Sequence, residues 1–271
     1  MVARITSLHV YPVKSCRGID VDAVRITETG PEWDRRWMIV KSADGRFITQ
    51  RSHPSMARIG VAIGGGNLRL SGDDIEALVV PVDHDGEARR VVVWNDECLG
   101  IDAGDDAADW LAAVLGEPLR LVRIDPALPR LASSEYAGPG RHQVSFVDGY
   151  PVLMISRESL ADLNRRLPGA IPMERFRPNV VIEGVAAYAE DAMARYRFGP
   201  VVLRGVKHCT RCAIPTTDQR TGARDPDQEP LRTLQTYRND HVLSGVTFGQ
   251  NCVIDSGVGE RLAVGTELTI G

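Results

Sequence analysis

Hydrophobic positions in this chain come in short alternating runs. Ile5, Leu8 and Val10 alternate with polar residues across 3–13, ending at Tyr11-Pro12-Val13, and read as a strand. Lys14-Ser15-Cys16-Arg17-Gly18 then reads as a turn. The same pattern predicts strands at 19–27, 36–41, 46–50, 56–63, 67–70, 76–82 and 89–94. Glu28-Thr29-Gly30-Pro31, Ala43-Asp44-Gly45, Gly64-Gly65-Gly66 and Asp83-His84-Asp85-Gly86 separate them. Ala107, Trp110, Leu111, Val114 and Leu115 fall at helical spacing, opened by Asp105-Asp106 and closed by Gly116. A second helix is expected from Ser156 as cap, with Leu160, Leu163 and Leu167 on one face. Val180-Val181-Ile182 and Val201-Val202-Leu203 are strands, 188–194 a short helix, and 229–238 a helix with Pro230 at its start. Val246 to Ile270 is strand-like.

The pattern is mainly β with some helices, an α+β chain rather than an alternating βα one, and its short strands suit a sandwich or barrel. Residues 127–141, with Pro126, Pro129 and Pro139, read as a linker, which divides the chain into 1–125 and 126–271. No fixed-period repeat stands out. Gly64-Gly65-Gly66 leads into a strand rather than a helix, so it fails as a phosphate cradle.

Composition narrows the function classes. The 271 residues carry a formal net charge of −4, which argues against general nucleic-acid binding. Only Lys14, Lys41 and Lys207 are lysines among 32 basic residues, so any anion site will use arginine. Five sparse cysteines are no disulfide framework. No signal pattern opens the chain and no apolar run spans a membrane, so a cytoplasmic protein without a membrane partner is expected.

The densest chemistry lies at Cys209-Thr210-Arg211-Cys212. A zinc knuckle needs a second ligand pair, and none follows. A redox dithiol opens a helix, and Pro215 with Thr216-Thr217-Asp218 argues against one. Inert buried cysteines, or one thiolate on a soft, redox-active metal oriented by the adjacent arginine, remain. Three other segments could contact an anion or cofactor. Lys14-Ser15 with Arg35 suits a phosphate. Arg177 and Asn179, two apart in an extended segment, face one side and could hold a flat ring with amide edges. Asp148, before Val152-Leu153-Met154-Ile155, could move a proton or cap a turn. No hydrolase signature is present.

Together these words resemble the MOSC family, in particular its two-part amidoxime-reducing members with a MOSC N-terminal β-barrel region. The words are Tyr11-Pro12-Val13-Lys14-Ser15-Cys16-Arg17-Gly18, Asp34-Arg35-Arg36-Trp37, Ser159 to Asn164, Arg175-Phe176-Arg177-Pro178-Asn179, Cys209-Thr210-Arg211-Cys212, Pro230 to Leu234, Tyr237-Arg238 and Phe248-Gly249-Gln250-Asn251. They come in the family's order, over about 3–55 and 143–269. The resemblance implies a MOSC β-barrel behind an N-terminal β-rich region. It also implies a molybdenum cofactor (Mo-molybdopterin), with Cys212 as metal ligand and a pterin dithiolene supplying two more sulfurs. Lys14, Ser15 and Arg35 match its phosphate contacts. Arg177, Asn179, Thr210 and Arg211 match its pterin contacts. Asp148 matches an acidic position beside the metal, as proton donor or orienting group. Gly149 and Asn251 depart from the animal members, which carry threonine and tyrosine there.

The implied activity is reduction of small N-hydroxylated compounds from N–OH to N–H. The chain has no Cys-x₄-Cys-x₂-Cys run, so electrons are expected from a separate donor: a ferredoxin, a cytochrome b5-like protein or a flavin reductase. The alternative is a carrier that delivers cofactor or sulfur without turnover.

Overall fold

A computed structural model describes residues 2–125, 127–128, 130–140 and 142–270. Strands dominate, joined by four α-helices among the described residues, as the alternating pattern predicts. Pro126 and Pro129 of the expected linker lie outside the described residues.

The main sheet has nine strands. Its order runs Ile19–Val21, Arg4–Val10, Val180–Glu183, Val152–Ser156, Gly245–Ser256, Val201–Thr210, Arg195–Phe198 and Thr269–Ile270, with Asn239–Asp240 also on Gly245–Ser256. Neighbours are antiparallel except Val152–Ser156 on Val180–Glu183. That parallel pair is joined through the helix Arg157–Arg166, the crossover such a pair needs. Ser156 caps the helix as expected, its hydroxyl accepting from the Ser159 amide at 3.1 Å. Ile5, Leu8, Val10, Met154, Ile182 and Leu203 fill one face of the sheet. Phe176, Phe248, Leu163 and Leu234 pack a second cluster with Ile155.

The opening strand Arg4–Val10 thus belongs to the sheet built by the second half of the chain. It pairs with Val180–Glu183, and its N-terminal end is tied again by Ile5 N to Thr266 O at 2.9 Å and Leu268 N to Ala3 O at 2.7 Å.

The first half builds a four-stranded sheet, Trp37–Lys41, Leu119–Ile124, Asp96–Asp102 and Ala88–Val93. Beside it stands a three-stranded meander, Gly60–Gly64, Asn67–Gly72 and Ile75–Pro81. Helix Asp105–Leu115 covers their shared core, burying Trp110 and Leu111 against Leu70, Leu119 and Leu121. It ends at Gly116 in the left-handed region, φ 79°, as the sequence predicts.

Several boundaries differ from the sequence pattern. The strand expected at 46–50 reduces to bridges at Arg46 and Phe47. The Thr49 and Ser52 hydroxyls bond to nearby backbone and turn the chain instead. The strand expected from 56 starts at Gly60, because Pro54 opens a 3-10 helix over Pro54–Arg58. The strand expected through 94 stops at Val93, and Trp94 becomes a turn residue. Strands Asp96–Asp102 and Leu119–Ile124 escape the pattern. The 229–238 helix shortens to Leu231–Gln235 behind Pro230.

Candidate functional site

One cavity collects residues from across the chain: Lys14, Ser15, Arg35, Asp148, Arg177, Asn179, Thr210, Arg211 and Cys212 all line it. Every residue singled out from the sequence is among them. The cavity encloses about 130 Å³ and shares Arg177 with a second, of about 450 Å³, walled by His9, Tyr11, Arg17 and Arg220.

Backbone pairing brings the first segments together. Val13 bridges Trp37, and Lys14 N donates to Trp37 O at 2.8 Å. Arg35 N donates to Tyr11 O at 2.8 Å, so Lys14, Ser15 and Arg35 converge. Ser15, Arg35 and Arg177 sit at φ 67°, 47° and 56°. Left-handed backbone at three side-chain-bearing residues of one cavity is the strain that functional sites store. It also overturns one expectation: the segment at Arg177 is not extended, because it ends the 3-10 helix Met173–Phe176.

The motif cysteines end the strand Val201–Thr210. Its pairing with Gly245–Ser256 slips between Gly205 and Lys207 and between His208 and Thr210. Such bulges bend a strand and re-aim its side chains. Gly205 permits the approach, since a Cβ there would lie 2.9 Å from Met193 O. Arg211 bonds Phe176 O at 2.8 Å and the Cys209 sulfur at 3.0 Å. The arginine therefore holds Cys209, where the sequence reading had it orient the metal-binding thiol. Cys212 sulfur takes no hydrogen bond among the described residues and faces the cavity lining unengaged. No group of three His, Cys, Asp or Glu able to hold a metal occurs among the described residues, so any metal here must bring other ligands.

Lys14 is 5% exposed. Its ammonium donates to Phe146 O and to Asp148 Oδ1, both at 2.6 Å. Burial pulls its pKa down to about 8, although Asp148 pulls the other way. The Asp148 side chain is 52% exposed. Burial of its carboxyl is outweighed by Lys14, Arg51 and the Trp94 N–H, which hold it well below the usual carboxylate range. A carboxyl held ionised is a poor proton donor, so the orienting role fits Asp148 better.

Asn179 is 2% exposed, and its amide makes three hydrogen bonds. Oδ1 accepts from Leu153 N at 3.1 Å and Arg35 Nη1 at 3.2 Å, while Nδ2 donates to His9 O at 3.2 Å. It staples the strands behind the cavity, and one N–H of its amide makes no hydrogen bond among the described residues. Arg35 also bonds Asp34 Oδ2 at 2.5 Å and lies over the Tyr11 ring, as Arg177 does at 4.2 Å. Arg177 Nη1 donates to Cys16 O at 2.7 Å. Burial and the neighbouring Arg35 pull its pKa down to about 10.

Two donors of the lining stay without a partner among the described residues: Arg177 Nη2 and Arg211 Nε are buried and make no hydrogen bond there. With Lys14 and Arg35 they set four cationic side chains against one carboxylate in the lining. Such a lining is built for an anionic group. Sequence reasoning missed Arg51, Trp94, Tyr11 and Phe176. Phe176 supplies a wall through its place in a quoted motif, whereas Trp94 and Arg51 carry no local signal.

Residues 2–118 match the MOSC N-terminal beta barrel domain, and residues 141–269 match the MOSC domain. The chain is 33% identical over 246 residues to mitochondrial amidoxime reducing component 2 of Bos taurus, covering 88% of this chain and 73% of that protein. It is 34% identical to mitochondrial amidoxime-reducing component 1 of Mus musculus over 88% of this chain and 72% of that one. The Homo sapiens component 1 is 33% identical over 94% of this chain and 80% of its own length. No helix among the described residues is long and apolar enough to cross a membrane.

Proposed function

This chain belongs to the MOSC family, joining a MOSC N-terminal beta barrel domain to a MOSC domain, and from that premise we propose that it is a molybdenum-cofactor-dependent reductase of N-hydroxylated compounds, fed by a separate electron-donor protein. The observation that carries the reading is the convergence on one cavity of residues from Lys14 to Cys212 that share nothing in sequence but the motif words. The relatives' names supply the substrate class.

The donor set fits the cofactor. Two orphaned buried donors, on Arg177 and Arg211, await an acceptor, and a pterin ring carries carbonyl and ring-nitrogen acceptors. Lys14, Ser15 and Arg35 would hold the phosphate end, Thr210, Arg211 and Arg177 the pterin, and Cys212 the metal through its thiolate. Bound there, the cofactor supplies a metal that changes oxidation state by two electrons in a soft sulfur environment. Arg211 keeps Cys209 engaged, leaving Cys212 as the unencumbered thiol. Asp148, ionised, orients the substrate and sets the charge on Lys14. Asn179 positions Arg35. The two protons consumed with each N–OH reduction are drawn from solvent.

The test is metal and pterin analysis of protein made in a cofactor-competent host, followed by oxidation of an artificial reduced dye with benzamidoxime. Stoichiometric molybdenum with dye oxidation supports the reading. Stoichiometric molybdenum without turnover favours the carrier alternative. Absence of molybdenum removes both.

A further inference from the structure

Gln50 and Gln219 stand 169 residues apart, one in each matched domain, and their side-chain amides meet. Both are buried. Each Nε2 donates to the other's Oε1 at 2.9 Å. The second N–H of Gln50 donates to Ser15 O at 2.8 Å, and that of Gln219 to Thr217 O at 3.1 Å. Gln219 Oε1 also accepts from Arg177 Nη1 at 3.4 Å. All four N–H groups and both oxygens are engaged, the condition under which a buried polar cluster fixes geometry. Ser15 lines the cavity at φ 67°, a conformation that its surroundings must hold, and Gln50 holds its carbonyl. The next carbonyl, Cys16 O, accepts from Arg177 Nη1 at 2.7 Å. Both Nη1 protons are thus engaged, by Cys16 and Gln219, while Nη2 keeps no partner among the described residues. Gln219 lies on the loop that follows Cys212, and Arg224 of that loop reaches back to Gln50 O at 3.1 Å.

We propose that Gln50 and Gln219 are positioning residues that latch the two domains around the cofactor: together they hold the Ser15 turn and the Arg177 guanidinium in register, and so set how long the cofactor stays bound. The proposal rests on the cofactor reading, although neither glutamine touches a reacting atom. Opening the pair would loosen the cavity at two places at once, Ser15 at the phosphate end and Arg177 at the pterin end. Apolar side chains of the same volume would fill the space but hold neither the Ser15 carbonyl nor the guanidinium.

The experiment compares wild type with Gln50→Met, Gln219→Met, the double variant and Gln219→Glu. Methionine keeps the volume and removes the hydrogen bonds, whereas glutamate at 219 keeps oxygens to accept from Gln50 and Arg177. Loss of molybdenum and pterin from loaded protein is followed over time by gel filtration. Hydrogen exchange of residues 14–18 is measured on cofactor-free protein, with helix Asp105–Leu115 as the internal reference. Each single methionine variant should release cofactor about tenfold faster, the effect of one or two lost hydrogen bonds. The double variant should be no faster than the worse single one, because the pair acts as a unit. Gln219→Glu should release more slowly than Gln219→Met, and exchange at 14–18 should quicken in the methionine variants while the helix stays protected. Unchanged release, additive release in the double variant, or equal release from Gln219→Met and Gln219→Glu would overturn the latch. If wild-type protein carries no molybdopterin, the cofactor reading fails and exchange decides alone. Quickening confined to 14–18 then upholds the hold on the turn, and unchanged or uniform exchange overturns it.

Discussion

Asp148→Asn removes the only carboxylate in the cavity lining while leaving its shape. Lys14 would keep its bond to Phe146 O but lose its counter-charge 2.6 Å away. Breaking a fully buried pair costs about 3–5 kcal/mol. Here the Asp148 side chain is 52% exposed, so water screens the pair and a figure of roughly 1.5 kcal/mol is the better expectation. For a chain of this size that is a Tm fall of roughly 3–6 °C. The pH dependence is more telling. Lys14 titrates near 8 in the folded protein against 10.5 unfolded, so between these values the unfolded chain binds more protons and stability rises with pH. Asp148 raises the Lys14 pKa, so its loss moves the lower edge of that window below 8. The variant should therefore be most destabilised at the acid end of the range, regain ground on wild type as pH rises toward 8, and hold a constant gap above it. Lys14→Met should abolish the rise, and the double variant should be more stable at pH 7 than Asp148→Asn alone. Urea unfolding from pH 6 to 10 on all four proteins reads this directly. Parallel wild-type and Asp148→Asn profiles would refute a buried, compensated Lys14 charge.

Cys212→Ala should abolish molybdenum retention and reduction, while Cys209→Ala keeps most of both; the reverse pattern in metal analysis at normal protein yield would reassign the ligand. Arg35→Ala should cost stability as well as cofactor, because Asp34, whose side chain is 1% exposed, loses its paired guanidinium; about 3–5 kcal/mol is expected in chemical unfolding. NADPH alone should not drive reduction by the purified chain, which shows no iron–sulfur, haem-attachment or nucleotide-loop spacing, and a donor protein or reduced dye should restore it. Efficient turnover on NADPH by itself would imply a redox centre within the chain.

Helices Asp105–Leu115 and Arg157–Arg166 were legible because caps and apolar spacing are local, as Gly116 and Ser156 illustrate. The site residues were legible through their motif words, while their contacts were not. Asn179 reads as a ligand edge in sequence, yet three tertiary bonds engage its amide. Arg211 lies beside Cys212 along the chain, but the bend of the strand end turns it to Cys209. Trp94 continues an apolar run, so alternation assigns it to a strand; its turn depends on Asp96–Asp102, which the pattern does not mark. In each case the missing information is pairing between distant segments, which propensity cannot encode.

The position of Arg4–Val10 has a consequence for synthesis. Its ion-pair partner across the sheet lies 179 residues downstream. At ordinary translation rates of roughly 5–20 residues per second, the strand waits about 10–35 s for that partner to be made, and longer to clear the ribosome. Residues 265–268, which tie the same end of the strand, come later still. Throughout that interval the strand can pair with Ile19–Val21 on one side, while its other edge, with Ile5, Leu8 and Val10, waits for Val180–Glu183. Such an edge is a target for chaperones and for other unfinished copies. The boundary between the two matched domains is therefore not a folding boundary. Ile19–Val21 lies in the same sheet, and Ala23–Thr27 pairs with Arg261–Ala263, so the whole opening segment is completed by chain made last.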